Sequence, residues 1–334
     1  MPPTRSARAP ALDSLDQLRR WLRLSTGELL WFCDVYGNGR RACATALRHY
    51  RHRWIAKRSG GLRLLEIPKA RLKRMQRRIL DELLSHAAIH PAATGFVRGR
   101  SCLDHARTHV GARWVVTSDL RDWFGSIPRA RIAAQFRRSG ASKHVADALA
   151  RLCTACTPSA IVDLAAVPDR AHLRVPHLPQ GAPTSPALAN LVASRLDRRL
   201  AGYARHAGLN YSRYADDIAL SPQPGVETPP QRALEALQRI ARSEGFRVNP
   251  RKIRIKRHGS RMTVCGIVIN ERLNLARDAY DRLRAAVHRL ASSTDVDPLE
   301  IARVRGRLSW LESLNPRRAA KLRRLLESRG TPST

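Results

Sequence analysis

The chain has 334 residues, with 61 Lys+Arg against 27 Asp+Glu and a formal net charge of +34. It is long enough to bury a sizeable core, as one large domain or a few packed subdomains, and self-repulsion of this size is best tolerated against a polyanion, which points to nucleic acid. No apolar run of about 18 residues or continuous basic amphipathic face supports a membrane partner, and six cysteines are too few for a disulfide scaffold, so a cytoplasmic protein with reduced thiols is expected.

Residues 1–11 read as a disordered basic tail, and Asp13 and Asp16 interrupt the sequence before any apolar core of signal-peptide length forms. Residues 12–60 form an N-terminal helical element, announced by two capping boxes, Ser14-x-x-Gln17 and Ser25-x-x-Glu28. Pro68 suits a first helical turn, and Leu72, Met75, Ile79 and Leu83 follow at helical spacing among arginines and lysines. Trp114 to Asp119 reads as a buried strand ending in an acid. Cys153-x-x-Cys156 lacks a second ligand pair, so buried helix cysteines are the better reading than a zinc site. Residues 157–179, with four prolines, are expected to form a loop with a short strand pair, and Pro186 then opens a helix to about Tyr203.

Leu209 to Ser221 is apolar on both sides of Ala215-Asp216, a strand-turn-strand pattern. A Pro-rich loop covers 222–230, a helix covers 231–243 and stops at Gly245, and strands are expected at 252–256 and 262–269. From Arg277 the chain is helical and Arg-rich, ending in a tail at 329–334, and no internal repeat suggests a solenoid.

In so basic a protein the placement of acids is informative. Asp119 ends one strand, and Asp216-Asp217 sits at a hairpin tip. An Asp-Asp pair alone is an ordinary solvated turn, but flanked by apolar strands and joined by a second acid-tipped strand it becomes a candidate site for two divalent cations. Phosphoryl transfer needs such a site, to lower the pKa of an attacking hydroxyl and to steady a departing pyrophosphate.

These residues carry a resemblance, from about Ser14 to Glu327, to reverse transcriptases, most closely those of bacterial retrons. Tyr214-Ala-Asp-Asp217 resembles the catalytic hairpin, and Ser118-Asp119-Leu-Arg-Asp-Trp-Phe124-Gly-Ser-Ile127 resembles the strand with the first catalytic Asp. Leu178-Pro-Gln-Gly-Ala-Pro-Thr-Ser-Pro-Ala-Leu-Ala-Asn190 is similar to the nucleotide-pocket segment, and Gly95-Phe-Val-Arg-Gly-Arg-Ser101 to a fingers motif, so four motifs stand in family order. The resemblance implies an α+β right-hand polymerase, with fingers and an antiparallel palm sheet over 61–270 and a helical thumb over 271–328.

It also implies roles. Asp119, Asp216 and Asp217 would hold two Mg2+ ions, with Mn2+ as a substitute, and the backbone of Leu120 would lie near the triphosphate. Phe124 matches a steric gate that excludes a ribonucleotide hydroxyl; from pattern alone a core Phe beside Trp123 reads equally well. Gln180, Gly181 and Tyr214 would line the nucleotide, Arg63 and Lys69 match positions that hold the triphosphate, and Lys252 matches a Lys that protonates pyrophosphate, although any one Lys here also reads as a general phosphate contact.

Two retron signatures are partial. His105-Ala-Arg-Thr-His109 keeps only the Ala and second His of Asn-Ala-x-x-His, and Val264-Cys-Gly266 stands for Val-Thr-Gly. With Arg307 in a retron-like thumb segment, His105, His109, Val264 and Gly266 are expected at the RNA; the two histidines also read as helix-surface residues. The implied partners are a cognate structured non-coding RNA, its branched multicopy DNA product, dNTPs and an effector protein in anti-phage defence, with no membrane. The alternatives are a stand-alone bacterial reverse transcriptase using another RNA, an RNA-dependent RNA polymerase, and a non-catalytic RNA-binding protein.

Overall fold

The computed structural model describes residues 12–37, 47–57, 60–164, 170–292 and 297–327; the expected tails at 1–11 and 329–334 lie outside them. In chain order the elements begin with helices α1 (Leu15–Leu22) and α2 (Thr26–Phe32), strands β1 (Tyr50–Ala56) and β2 (Leu62–Pro68), and helices α3 (Ala70–Ile79) and α4 (Cys102–Arg107). Strand β3 (Trp114–Asp119) precedes helices α5 (Arg129–Arg138), α6 (Lys143–Cys153), α7 (Ser159–Asp163) and α8 (Ser185–His206). Strands β4 (Leu209–Tyr214) and β5 (Asp217–Pro222), helix α9 (Pro230–Ser243), and strands β6 (Arg254–Arg257), β7 (Thr263–Val264) and β8 (Ile267–Val268) follow. Helices α10 (Arg277–Ser292), α11 (Pro298–Leu314) and α12 (Pro316–Glu327) close the described chain. The fold class is α+β with antiparallel sheets.

The elements form two compact units interleaved in sequence. The first comprises Met1–Val97, Leu120–Arg198 and Ala241–Arg247. Both capping boxes form there: Ser14 accepts from the Gln17 amide and Ser25 from the Glu28 amide, with reciprocal bonds from the Gln17 and Glu28 side chains. Strands β1 and β2 make an antiparallel hairpin that the sequence reading did not foresee. Its hidden face explains why: Leu64, Glu66 and Pro68 are the buried positions of β2, so a carboxylate interrupts the apolar alternation that betrays a strand. Pro68 ends β2 rather than opening a helix, and α3 starts after Lys69 as its N-cap. Helix α3 runs into a π-helical turn at Leu80–Leu84, which shifts the period and buries Leu84 in place of the expected Leu83.

In the 157–179 segment the described residues form α7 and a 3-10 turn at Ala171–Arg174, and its strand-like pairing is limited to bridges from His177 to Pro128 and Ala155. Cys153 is buried at the end of α6, and Cys156, beyond the helix, donates to the Arg174 carbonyl at 3.0 Å.

The second unit comprises Arg98–Asp119, Arg199–Ile240 and Val248–Thr334. Its four-stranded sheet has the order β4-β5-β3-β6, antiparallel throughout. Val115 and Ala219 from this sheet pack with Ala106, Met262, Val264, Ile267 and Ile269. The expected strand at 262–269 is instead the tight hairpin of β7 and β8, and the strand expected at 252–256 begins only at Arg254, after a 3-10 turn at Pro250–Lys252. Helices α10, α11 and α12 pack Leu283, Val287, Leu290, Val304, Leu308, Leu311 and Leu322 into a separate cluster.

Candidate active site

In the second unit, strand register brings two of the three expected aspartates together. Asp119 on β3 pairs directly with Asp217 on β5, and residues directly opposed in an antiparallel pair project on the same face. The β4–β5 hairpin closes between Tyr214 and Asp217 through Ala215 and Asp216. Ala215 takes φ +56°, a left-handed conformation unusual for an alanine, and sits at the first central position of the turn. The fully buried Arg213 donates its Nη1 to the Ala215 carbonyl at 2.8 Å, which pins this backbone.

The site is negative and only partly compensated. Burial, and then the charges of Asp119 and Asp216, push the Asp217 carboxyl up to about 7. The Cys265 thiol donates to Asp217 Oδ2 at 3.6 Å, a contact that works in the other direction. Lys252, carried on its 3-10 turn, forms an ion pair with Asp119 Oδ2. Burial alone would depress the Lys252 ammonium, but the bond to Asp119 and the charges of all three aspartates hold it above the usual range. The turn is anchored where the Asn249 amide donates to the Asp119 carbonyl at 2.8 Å and the Asn249 side chain accepts from the Arg251 amide.

Among the described residues no three His, Cys, Asp or Glu side chains converge as a closed metal cage. Hard carboxylate oxygens opposed across two strands nevertheless fit a small divalent cation, which completes its shell with water and substrate phosphate rather than with protein alone. Burial raises Asp217 and the charges of Asp119 and Asp216 raise it further, so a cation placed here would favour its ionised form.

A buried network lies further along the same face of the sheet, because Ser221 stands four residues from Asp217 on β5 and Ser212 two from Tyr214 on β4. His109 Nδ1 lies 2.8 Å from Ser221 Oγ and its Nε2 2.8 Å from Ser212 Oγ, so the ring bridges β5 and β4. His105 Nδ1 lies 2.6 Å from the same Ser212 hydroxyl, and its ring stacks on Tyr214 at 6.4 Å. Burial pushes His105 down to about 4, with Arg213 adding to the effect, and His109 down to about 3. Both rings are therefore neutral, which suits hydroxyl partners that both donate and accept. Their burial withdraws them from the RNA contact and from the helix surface expected of them; they support the hairpin from within. Val264 is likewise buried in the core, whereas Cys265 and Gly266 form an exposed two-residue turn with φ of +47° and +76°, the primed type that matches strand twist. The sequence marks Cys265 only as the residue that replaces Thr in Val-Thr-Gly; its contact with Asp217 has no sequence signal. Arg307 is exposed on α11.

The remaining expected residues lie in the first unit. Gly181 takes φ +134°, and a Cβ there would come within 2.9 Å of the Glu66 carbonyl, so only glycine fits. The Glu66 amide donates to the Gln180 carbonyl at 2.9 Å, which fastens the 180–181 segment to β2. Trp123 is buried and stacks on Phe246 at 5.3 Å, while Phe124 is only half-buried and meets Phe96 at 6.3 Å, so the core-Phe reading applies to its neighbour instead. The Leu120 side chain is buried, leaving its backbone for any ligand. Arg63 is exposed on β2 and Lys69 half-buried at the start of α3. Asn190 on α8 donates to the Gly95 carbonyl at 2.9 Å, joining the two motifs.

Residues 55–269 match the family described as reverse transcriptase (RNA-dependent DNA polymerase), whose members generally use divalent metal ions. The retron Mx65 reverse transcriptase of Myxococcus xanthus is 43% identical over 85% of this chain, which spans 66% of that protein's length. The retron Mx162 reverse transcriptase of the same organism is 34% identical over 99% of this chain and 71% of its own. The retron Ec86 reverse transcriptase of Escherichia coli is 31% identical over 94% of this chain and 88% of its own.

Proposed function

The chain belongs to the reverse transcriptase (RNA-dependent DNA polymerase) family, and on that premise we propose that it is a retron enzyme that copies a structured non-coding RNA of its own locus into branched multicopy single-stranded DNA, in anti-phage defence. The observation that carries the catalytic reading is the register that opposes Asp119 and Asp217 beside the Asp216 turn. A non-catalytic RNA-binding protein has no need to half-bury a carboxylate opposite a second one and beside a third, an arrangement that pushes Asp217 well above the usual carboxylate range.

In this reading Asp119, Asp216 and Asp217 hold Mg2+, with Mn2+ as a substitute. The metal supplies positive charge that lowers the pKa of the attacking hydroxyl and offsets charge on the leaving pyrophosphate. Lys252, which pairs with Asp119 here, would turn to the leaving pyrophosphate if a cation took that carboxylate; losing the contacts that raise its pKa would make its ammonium a better proton donor there. Tyr214, backed by His105, Gln180 and Gly181 line the incoming nucleotide, and Phe124 crowds its sugar C2′ so that deoxynucleotides are preferred. Arg63 and Lys69 take the triphosphate, the Leu120 backbone lies beside it, and Gly266 and Arg307 contact the RNA. An effector protein completes the assembly, in the cytoplasm.

The test is to purify the protein from its native locus and treat the bound nucleic acid separately with RNase and DNase. A short DNA branched covalently from a small RNA is the expected result. RNA alone, with primer extension on added template, would instead identify a stand-alone reverse transcriptase, the alternative favoured by the partial His105-to-His109 and Val264-to-Gly266 motifs.

A further inference from the structure

Glu66 is buried in the first unit, with 1% of its surface exposed, and lies outside the acids that the activity calls on. Its Oε1 accepts from the Thr157 hydroxyl at 2.7 Å, and its Oε2 lies 2.8 Å from His177 Nε2. His177 Nδ1 lies 2.8 Å from the Val175 carbonyl, which can only accept, so that nitrogen carries a hydrogen. A neutral His177 would then turn a lone pair toward an ionised Glu66. The geometry therefore requires one proton between the two side chains.

The backbone of each residue leads to the 177–181 segment. His177 exchanges two backbone hydrogen bonds with Ala155, each 2.9 Å, and the Leu178 amide donates to the Ile127 carbonyl. The Glu66 amide holds the Gln180 carbonyl, and the Glu66 carbonyl is the atom that Gly181 closely approaches. Strand β2, which carries Arg63, and the segment with Gln180 and Gly181 are thus tied through one residue by both its main chain and its side chain.

We propose that Glu66 is a positioning residue for the incoming deoxynucleotide: its buried, proton-sharing pair with His177 holds the Gln180–Gly181 segment against β2, so nucleotide affinity depends on a pair that the nucleotide does not touch. This rests on the reading of Gln180 and Gly181 as nucleotide-lining. Burial alone would raise Glu66 and depress His177, but each partner's charge and their shared bond reverse this: Glu66 is held below 4.5 and His177 above 6.5. The other groups facing the pair come from β1 and its approach. His52, 3.8 Å from Glu66 Oε1, is held below its usual range by burial, Arg48 opposes its protonation, and the Tyr50 phenol is pushed well above its ordinary value. His177 therefore supplies the countercharge.

The sign follows from proton counting. Because His177 is raised, its contribution is complete below pH 6.5 and lost as pH rises through its folded value; the lowered Glu66 loses its contribution only as pH falls below 4.5. The experiment is steady-state incorporation of dTTP on an RNA homopolymer template with a DNA primer, between pH 6.5 and 9.5, for wild type, Glu66→Gln and Glu66→Ala. Wild type should show a KM for dTTP that climbs in the alkaline limb. Glu66→Ala should raise KM by about tenfold at pH 7 while kcat and template–primer affinity change by less than about twofold. Glu66→Gln, whose amide can donate to a neutral His177, should stay within about threefold of wild type and lose the alkaline climb. An alkaline climb retained in Glu66→Gln, or no climb in an active wild type, overturns the proposal whether or not Glu66→Ala folds. A wild type that incorporates no nucleotide at any pH overturns the polymerase reading and this proposal with it.

Discussion

Glu66 in the first unit and Asp217 in the second are both carboxylates held by strands, and their environments drive them in opposite directions. Glu66 is the more deeply buried, yet it is held below its ordinary range because His177 and Thr157 meet its two oxygens. Asp217 is more exposed, yet it rises to about 7 because burial raises it and the charges of Asp119 and Asp216 add to that rise instead of offsetting it. Burial pushes both carboxyls up, and the partners decide whether that push is reversed or reinforced. The Glu66 site is complete in the protein alone, and additions to it should do harm. The aspartate site is incomplete, and a cation should complete it.

The largest expected effect removes a ligand from the incomplete site. Asp216→Asn should lower DNA synthesis by ~10³-fold or more, the scale of losing metal-dependent stabilisation of a transition state. RNA affinity in a filter-binding titration should stay within about twofold, because the basic surface supplies it. A parallel loss of RNA binding would mean that the acids organise structure instead.

Next comes the cation itself. In nucleic-acid-free protein, Mg2+ at a hundredfold excess over its dissociation constant should add about 2.7 kcal/mol to the stability of the unit that binds it. Calorimetry should show that gain in wild type and not in Asp217→Asn, whereas Glu66→Gln should retain it in full. An equal gain in all three proteins would place the ion elsewhere.

The complete site should respond to a single added methyl group. Gly181→Ala forces a Cβ to within 2.9 Å of the Glu66 carbonyl at a φ of +134°, and backbone cannot move aside as a flexible side chain can. The cost should be about 1–3 kcal/mol in denaturant unfolding, with a rise in KM for dNTP where the variant folds. Unchanged stability would show that the segment is not clamped to β2.

How much of this was legible follows the same division. The capping boxes at Ser14 and Ser25, strand β3 and the β4–β5 hairpin all carry their signals within a few residues, and each was read from the sequence. The β1–β2 hairpin was not, because Glu66 and His52 occupy inward positions where the strand pattern calls for apolar residues. The buried exception that hid the strand is the group that fastens the 180–181 segment. His105 and His109 are spaced like an exposed helical pair, and only their distant partners Ser212 and Ser221 explain their burial. Lys252 was placed in a strand because Lys-Ile-Arg-Ile-Lys alternates, whereas Pro250 and the Asn249 side chain fix a 3-10 turn first. Local signals specify elements; which charges those elements bring together depends on partners about a hundred residues away.

The smallest effect is the most direct comparison of the two carboxylates. In metal-free buffer at neutral pH, Asp217→Asn removes a like charge that faces Asp119 across paired strands, and the Cys265 thiol keeps an oxygen to donate to. The variant should therefore be more stable than wild type by about 1 kcal/mol, a rise of roughly 2–4 °C in Tm for a unit of this size. Glu66→Gln should move the other way under the same conditions, because the amide's bond to a neutral His177 is weaker than the charge-assisted bond it replaces. Opposite signs from two carboxylate-to-amide changes would separate a site built to be finished by a cation from one finished by folding. If both changes destabilised, Lys252 alone would already neutralise the aspartates, and their mutual repulsion would add little to the rise that burial gives Asp217.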